Sequence, residues 1–320
     1  MKSLKLFIFL ISVFLVRCKK EYETIPSVRF RVISTPVNAS INSMAFPKSS
    51  LGFAVCANGS LLKTTNSGST WSIDSTFSYS AYHLTKIIFP DSLTGYILAT
   101  DNFSNGHTLK STNSGSSWTE NTYSDPEDIS FPTASIGYML TSTYQYKTTN
   151  GGLYWNAMNF PSSFEPSLIS FANKDTGFVR DFDGYLYITQ NGGVSWTQQN
   201  SPLGHARQIR FKSSKLGYAI DGGGNIYSTS NGVDWATNYT ASASTAFQLL
   251  AIDVYGQTGI AVGENSIVVS RDQGQTWEFR RTDTGITPQA TLKDIHMINE
   301  VAGIACAENG SLYRIELGDK

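Results

Sequence analysis

The stretch Lys63–Trp71 reads KTTNSGSTW; it returns at 110–118 as KSTNSGSSW and at 147–155 as KTTNGGLYW. Its polar part suits a tight turn. An Asn side chain can hydrogen-bond backbone groups two residues on, and glycine supplies a positive φ. The tryptophan then offers a large apolar face to the hairpin. All six tryptophans, Trp71, Trp118, Trp155, Trp196, Trp235 and Trp277, stand in this context, spaced by 47, 37, 41, 39 and 42 residues. A period of about 40 residues fits one four-stranded propeller blade per repeat.

The interior of each unit agrees. Upstream of each tryptophan a glycine opens a short apolar run, as in Gly52-Phe53, Gly95-Tyr96, Gly137-Tyr138, Gly177-Phe178, Gly217-Tyr218 and Gly259-Ile260. Six residues before the glycine stands an apolar anchor: Phe46, Phe89, Phe131, Phe171, Phe211 and, in the last unit, Met297. Pairs such as Ile129-Ser-Phe131 and Ile209-Arg-Phe211 alternate with period two, the mark of a strand. The unit around Leu250–Val254 breaks the six-residue offset. Helical periodicity is absent beyond the N-terminal segment, so the chain is expected to be all-β. Each unit reads as strands a (I-x-F), b (from the glycine), c (GSLLKT, GYLYIT) and d (from the tryptophan).

Six units are complete, over about 40–78, 83–123, 127–162, 166–200, 206–240 and 246–282. A seventh, 290–317, supplies strands a to c and stops. At the other end, 28–34 reads VRFRVIS, an alternating strand without a repeat of its own. Ring closure uses both, with 28–34 as the outer strand of blade seven, and removes edges that invite aggregation. The expectation is one seven-bladed β-propeller over 28–320.

The repeated turn resembles the Asp-box, or BNR, repeat, with Asn66, Asn113, Asn150, Asn191 and Asn231 at the Asp position and Asp272 alone keeping the acid. A catalytic group is needed once, whereas this turn occurs six times, and Asn cannot act as a general base, so these residues read as scaffold. The whole pattern, F-x5-GYA followed by G-x-(I/L)-Y-x-T and the turn, looks most like the photosystem II stability and assembly factor type of propeller. Similar units occur in sialidases, xyloglucanases and the larger sortilin ectodomain. The assembly-factor resemblance implies a non-enzymatic propeller that engages a partner protein; the others imply a glycan binder or a glycoside hydrolase.

The chemistry of hydrolases is poorly represented. A sialidase needs an arginine triad for its substrate carboxylate, and its N-terminal Phe/Tyr-Arg-Ile-Pro has its nearest match here in Glu23-Thr24-Ile25-Pro26, which lacks the arginine. Other glycosidases need two placed carboxylates. Asp181, Asp183 and Asp221 lie in b–c loops, but beside glycines where Asp serves the turn itself. No zinc spacing or phosphate loop occurs, the histidines are isolated, and no metal or cofactor is expected.

In a propeller the d–a and b–c loops share one face and the repeated turns occupy the other. The first face carries the longer, unrepeated loops and is the expected binding face. Its aromatics include Phe77, Tyr79, Tyr82, Tyr123, Phe160, Phe164 and Phe247, suited to protein or glycan contacts or to packing between loops. Arg180, Arg207 and Arg210 come from adjacent blades and are expected at the channel mouth as a basic spot for an acidic group. Cys56 and Cys306 end strand b of blades one and seven, neighbours after closure, and could form a disulfide across the seam; their offset by one position from the glycine places them on opposite strand faces.

The first 17 residues form a basic n-region and the apolar run Leu6–Val16, too short for a bilayer and right for a signal peptide. Cys18 follows, resembling a bacterial lipobox, with Arg17 in place of the usual small residue. The resemblance implies lipidation of Cys18 and a domain exported and held on the cell envelope by lipid alone; residues 18–27 read as a tether, and the domain is expected to be a monomer. Without residues 1–17 the chain has 21 basic and 25 acidic residues, a balance with no footprint for nucleic acid or anionic membrane.

Overall fold

A computed structural model describes residues 28–122, 126–141, 144–158, 160, 165–241, 248–280 and 290–318. Signal segment, Cys18 and tether therefore lie outside the described residues, as do Tyr123, Phe164 and Phe247. The described residues form seven four-stranded antiparallel sheets, each in the order a-b-c-d, arranged in a ring. Blade two is typical, with strands His83–Ile88, Gly95–Thr100, Gly106–Ser111 and Thr119–Thr122. Among the described residues, one 3₁₀ turn, Pro202–His205, interrupts the all-β pattern in the loop between blades four and five.

The ring closes as the sequence implies. Strand Val28–Ile33 pairs antiparallel with Leu312–Leu317 in unbroken register, from Val28↔Leu317 to Ile33↔Leu312. It completes blade seven, whose inner strands are Leu292–Asn299 and Ala302–Ala307.

The glycine that opens strand b makes room for the anchor of strand a. A Cβ on Gly52, Gly95 or Gly137 would lie 2.5, 2.5 or 2.3 Å from the ring of Phe46, Phe89 or Phe131. Each anchor ring then meets its own blade's tryptophan edge to face, at 5.8 Å for Phe46–Trp71 and Phe131–Trp155. Blade six differs because Gly256-Gln257 makes a tighter a–b turn. Val254 takes the anchor's place opposite Gly259, and Trp277 packs on that glycine.

The repeated turn is held from within and from the neighbouring blade. Thr64 Oγ accepts from the Gly68 N–H and donates to Asn66 Oδ1, which also accepts from the Thr70 N–H. The same bonds recur around Asn113, Asn150, Asn191 and Asp272, and a shortened set around Asn231. Where the next blade carries the turn, the residue after the strand-b glycine reaches under it. Tyr96 donates to Gly151 O, and Tyr218 donates to Gln273 O. Phe53 lies so close beneath Gly115 that a Cβ there would sit 2.4 Å from its ring, at a backbone φ of 78°. Gly115→Val should therefore lower stability by about 2–3 kcal/mol through left-handed strain and overpacking, read as a shift in urea midpoint. An unchanged midpoint would show that the turn is not a latch between blades.

Cys56 and Cys306 are free, fully buried thiols in one core layer, together with Met44, Ala54, Ile304 and Leu312. The expected separation on opposite faces is corrected by the ring. Residues at odd steps after the glycine (Phe53, Val55, Cys306) face the following blade, and those at even steps (Ala54, Cys56) face the preceding one. Opposite faces of neighbouring blades are the two sides of one layer. Burial pushes the Cys56 thiol up to about 12 and raises that of Cys306 as well, so both stand as inert core groups.

Candidate functional site

The innermost strands have free edges toward the channel, and their N–H groups need partners. Side chains of the preceding blade supply them. Asp128 accepts from the Ile169 N–H, Gln208 from Ile252, Asp253 from Met297 and Asp294 from Met44. The densest part of this girdle is in blades five to seven. Asp253 is buried 2.6 Å from Lys212 Nζ, 3.3 Å from Arg210 Nη1 and 3.8 Å from His296 Nδ1. Burial alone would raise its carboxyl, but Arg210, Lys212 and His296 together bring it down to about 2. Burial likewise opposes the Arg210 charge, and Asp253 and Asp294 more than offset it.

Above the girdle, every strand a carries a bulge. Near the start of each strand a the ladder skips one residue: Asn42, Thr85, Glu127, Ser167, Arg207, Leu250 and Lys293. A bulged residue leaves the ladder and is re-aimed. Four of these seven, Asn42, Arg207, Leu250 and Lys293, line a cavity of about 860 Å³ at the channel mouth on the d–a/b–c face. Arg180, at the end of strand b of blade four (Gly177–Asp181), joins them, with His205 and the b–c loop of blade five.

Three cations thus converge on the mouth, none with a carboxylate at ion-pair distance among the described residues. Arg180 donates to Ser167 Oγ at 2.5 Å, while its Nε is buried without a partner. Burial holds its pKa below the usual arginine value; Asp181 opposes this and Arg207 adds to it. Lys293 donates to Asn42 Oδ1 at 3.0 Å and Ser40 Oγ at 3.3 Å, both neutral. The Arg207 guanidinium lies against Gly222, where a Cβ would come within 2.9 Å of Nε, so the Gly222–Gly224 run gives this arginine its space. The lining carboxylate, Asp221, is engaged by its own turn. It accepts from the N–H groups of Gly223 and Asn225, from the Asn225 amide and from the Tyr227 hydroxyl.

The structure brings Arg180 and Arg207 together and separates Arg210 from them. Arg207 is the bulged residue, whereas Arg210 lies three residues further along the strand, roughly 10 Å deeper at about 3.3 Å per residue. There it donates to the carbonyls of Ile252 and Ile295 and pairs with Asp253 and Asp294. Asp181 is buried and accepts from the Tyr185 N–H; Asp183 is exposed at the tip of the same loop. Tyr79 and Tyr82 pack with Phe77 against the core between blades one and two, and Tyr82 stacks on His107 at 4.3 Å. Phe160 stacks on Trp196. Sequence reading missed Lys293, whose signal was its position four residues before the anchor Met297, the same step as from Arg207 to Phe211.

No family model matches the chain, and no curated protein does. Among solved structures, the chain is similar to YCF48 bound to a D1 peptide, at 19% identity over 92% of this chain and 100% of that one, TM-score 0.70. It is also similar to YCF48 from Cyanidioschyzon merolae, at 17% identity over 90% and 98%, TM-score 0.68. The Niastella koreensis GH74 enzyme matches at 15% identity and TM-score 0.70 over 89% of this chain, which spans 53% of that enzyme. At these identities the likeness is one of fold: the chain is a seven-bladed β-propeller, similar in architecture to the YCF48 and GH74 structures.

Proposed function

We propose that this propeller is a non-enzymatic scaffold that binds a partner protein, and that an acidic group of that partner seats at the channel mouth. The observation that carries the reading is the convergence of Arg180, Arg207 and Lys293 on one open cavity with only neutral partners. Like charges held together and partly desolvated favour an anion that can be shared between them. The likeness to YCF48, a propeller described bound to a D1 peptide, supports a peptide as the class of partner. The six repeated turns serve as Asp-box-type latches, and Cys18 would place the domain on the cell envelope. Two facing carboxylates suited to glycoside hydrolysis do not occur among the residues lining the mouth.

The test is capture from a native envelope extract with wild-type protein and with Arg207→Ala/Lys293→Ala, alongside a glycan array. Each lost charge-assisted contact should weaken binding about ten- to a hundredfold, and recovery should fall as salt rises. Equal capture by the double variant, or binding confined to glycans, would remove the proposal.

A further inference from the structure

Four aromatic side chains protrude from the same face on three consecutive b–c loops. Phe103 of blade two is 86% exposed, Tyr144 of blade three 56%, and Phe182 and Tyr185 of blade four 67% and 51%. The corresponding loops of the other four blades contain no aromatic. They read Ala57-Asn58-Gly59-Ser60, Gly222-Gly223-Gly224-Asn225, Glu264-Asn265-Ser266 and Glu308-Asn309-Gly310-Ser311. The turn itself therefore has no need of an aromatic, and three neighbouring blades carry a cost in exposed apolar surface that the others avoid.

The side chains are displayed on pinned backbone. Asp101 accepts from the N–H groups of Phe103 and Asn105, both at 2.8 Å. Thr141 Oγ accepts from the Tyr144 N–H at 2.9 Å, and Asp181 accepts from the Tyr185 N–H at 2.7 Å. An aromatic held this way loses little freedom on binding, which is the property of a rigid anchor. The arc also adjoins the basic mouth: Phe182 and Tyr185 sit on the loop that begins directly after Asp181, next in the chain to Arg180, a lining residue of the cavity.

We infer that the loops of blades two to four form the apolar half of a docking surface for an extended peptide segment, with apolar side chains on Phe103, Tyr144, Phe182 and Tyr185 and a carboxylate on the basic mouth. This rests on the partner-binding reading above and adds the chemistry of the partner. Charge complementarity selects a peptide. A neutral glycan would cover the three cations without neutralising them, and an anionic bilayer would meet Asp183 and Asp101 beside the aromatics.

The probe is a library of random ten-residue peptides displayed with free C-termini, selected on the full-length protein and on two variants. One is Phe103→Ser/Phe182→Ser/Tyr185→Ser, whose exposed sites leave the melting curve unchanged; the other is Arg207→Ala/Lys293→Ala. Wild type is expected to enrich apolar residues together with acidic ones or a terminal carboxylate. The triple variant should lose the apolar enrichment, keep the acidic one, and bind the best peptide about tenfold more weakly in fluorescence anisotropy. Apolar enrichment that is absent in wild type, or unchanged in the triple variant, overturns the inference. Capture of phosphatidylglycerol vesicles or xyloglucan oligosaccharides through the same three side chains overturns it too. Acidic enrichment that survives Arg207→Ala/Lys293→Ala refutes instead the seating of a carboxylate at the mouth.

Discussion

A chain beginning at residue 37 is expected to lose its cooperative fold, whereas one beginning at residue 27 keeps it. The strand Val28–Ile33 pairs along its whole length with Leu312–Leu317, and it buries Val28 and Ile33 in the two core layers on either side of blade seven. Thr35 adds a 2.6 Å bond to the Gly310 carbonyl just beyond it. Removing the strand uncovers a six-residue edge in which Leu312, Tyr313, Ile315 and Leu317 are otherwise buried. The loss is comparable with the whole stability of an ordinary domain, about 5–15 kcal/mol, and the bared edge is a template for association. Size-exclusion chromatography should show aggregates in place of the single species of the longer chain, and the thermal transition should disappear. A synthetic peptide of residues 27–36 added in trans should restore that species, because an added strand can supply the missing ladder. A truncated chain that melts like the longer one would show that the ring is held without its closing strand.

Asp253→Ala should be the most damaging single substitution in the channel. It leaves Arg210 and Lys212 without their nearest carboxylate and the Met297 N–H without an acceptor, between strands that must pack edge to edge. Breaking a buried ion pair from one side costs about 3–5 kcal/mol, which for a domain of this size is on the order of ten degrees in Tm. The pH dependence has a definite sign. The folded-state pKa of Asp253 lies below its ordinary value, at about 2, so its stabilisation is present above roughly pH 4 and is lost as pH falls toward 2. His296, whose pKa burial lowers against the opposing pull of Asp253, contributes an earlier loss of stability that begins as pH falls through about 6.5. Asp253→Asn should therefore flatten the acid limb between about pH 4 and 2. A variant with wild-type Tm and an unaltered acid limb would show that the girdle does not depend on this carboxylate.

The architecture was legible in the sequence because its determinants are local and repeated. A turn needs Asn and Gly at fixed offsets, a ring on strand a needs a glycine opposite it, and the odd strand at 28–34 had one place to go. The site was legible only in part. Arg180 and Arg207 stood out as basic residues of adjacent blades, but the bulge that turns Arg207 and Lys293 into the mouth leaves no mark in the I-x-F pattern. Without the bulge, Arg207 and Arg210 look alike. The aromatics show the same limit. Tyr79 and Tyr82 sit in a polar loop, as Phe103 and Phe182 do, yet the first pair lies over the seam between two blades and packs into it, while the second pair rides on tight b–c turns with no neighbour to cover it. Which loop leans on a neighbouring blade is decided by tertiary placement.

The strand that completes blade seven also sets a timetable. It is the first part of the propeller in the chain, yet it cannot be placed until the last strand is available, because Val28 pairs with Leu317. Blades one to six can form from contacts between near neighbours in the chain. The seam joins the two extremes, and closing so long a loop is slow. Until then the newly made chain carries two unsatisfied edges, and it is during this interval that a chaperone, or a second unfinished copy, would compete for them.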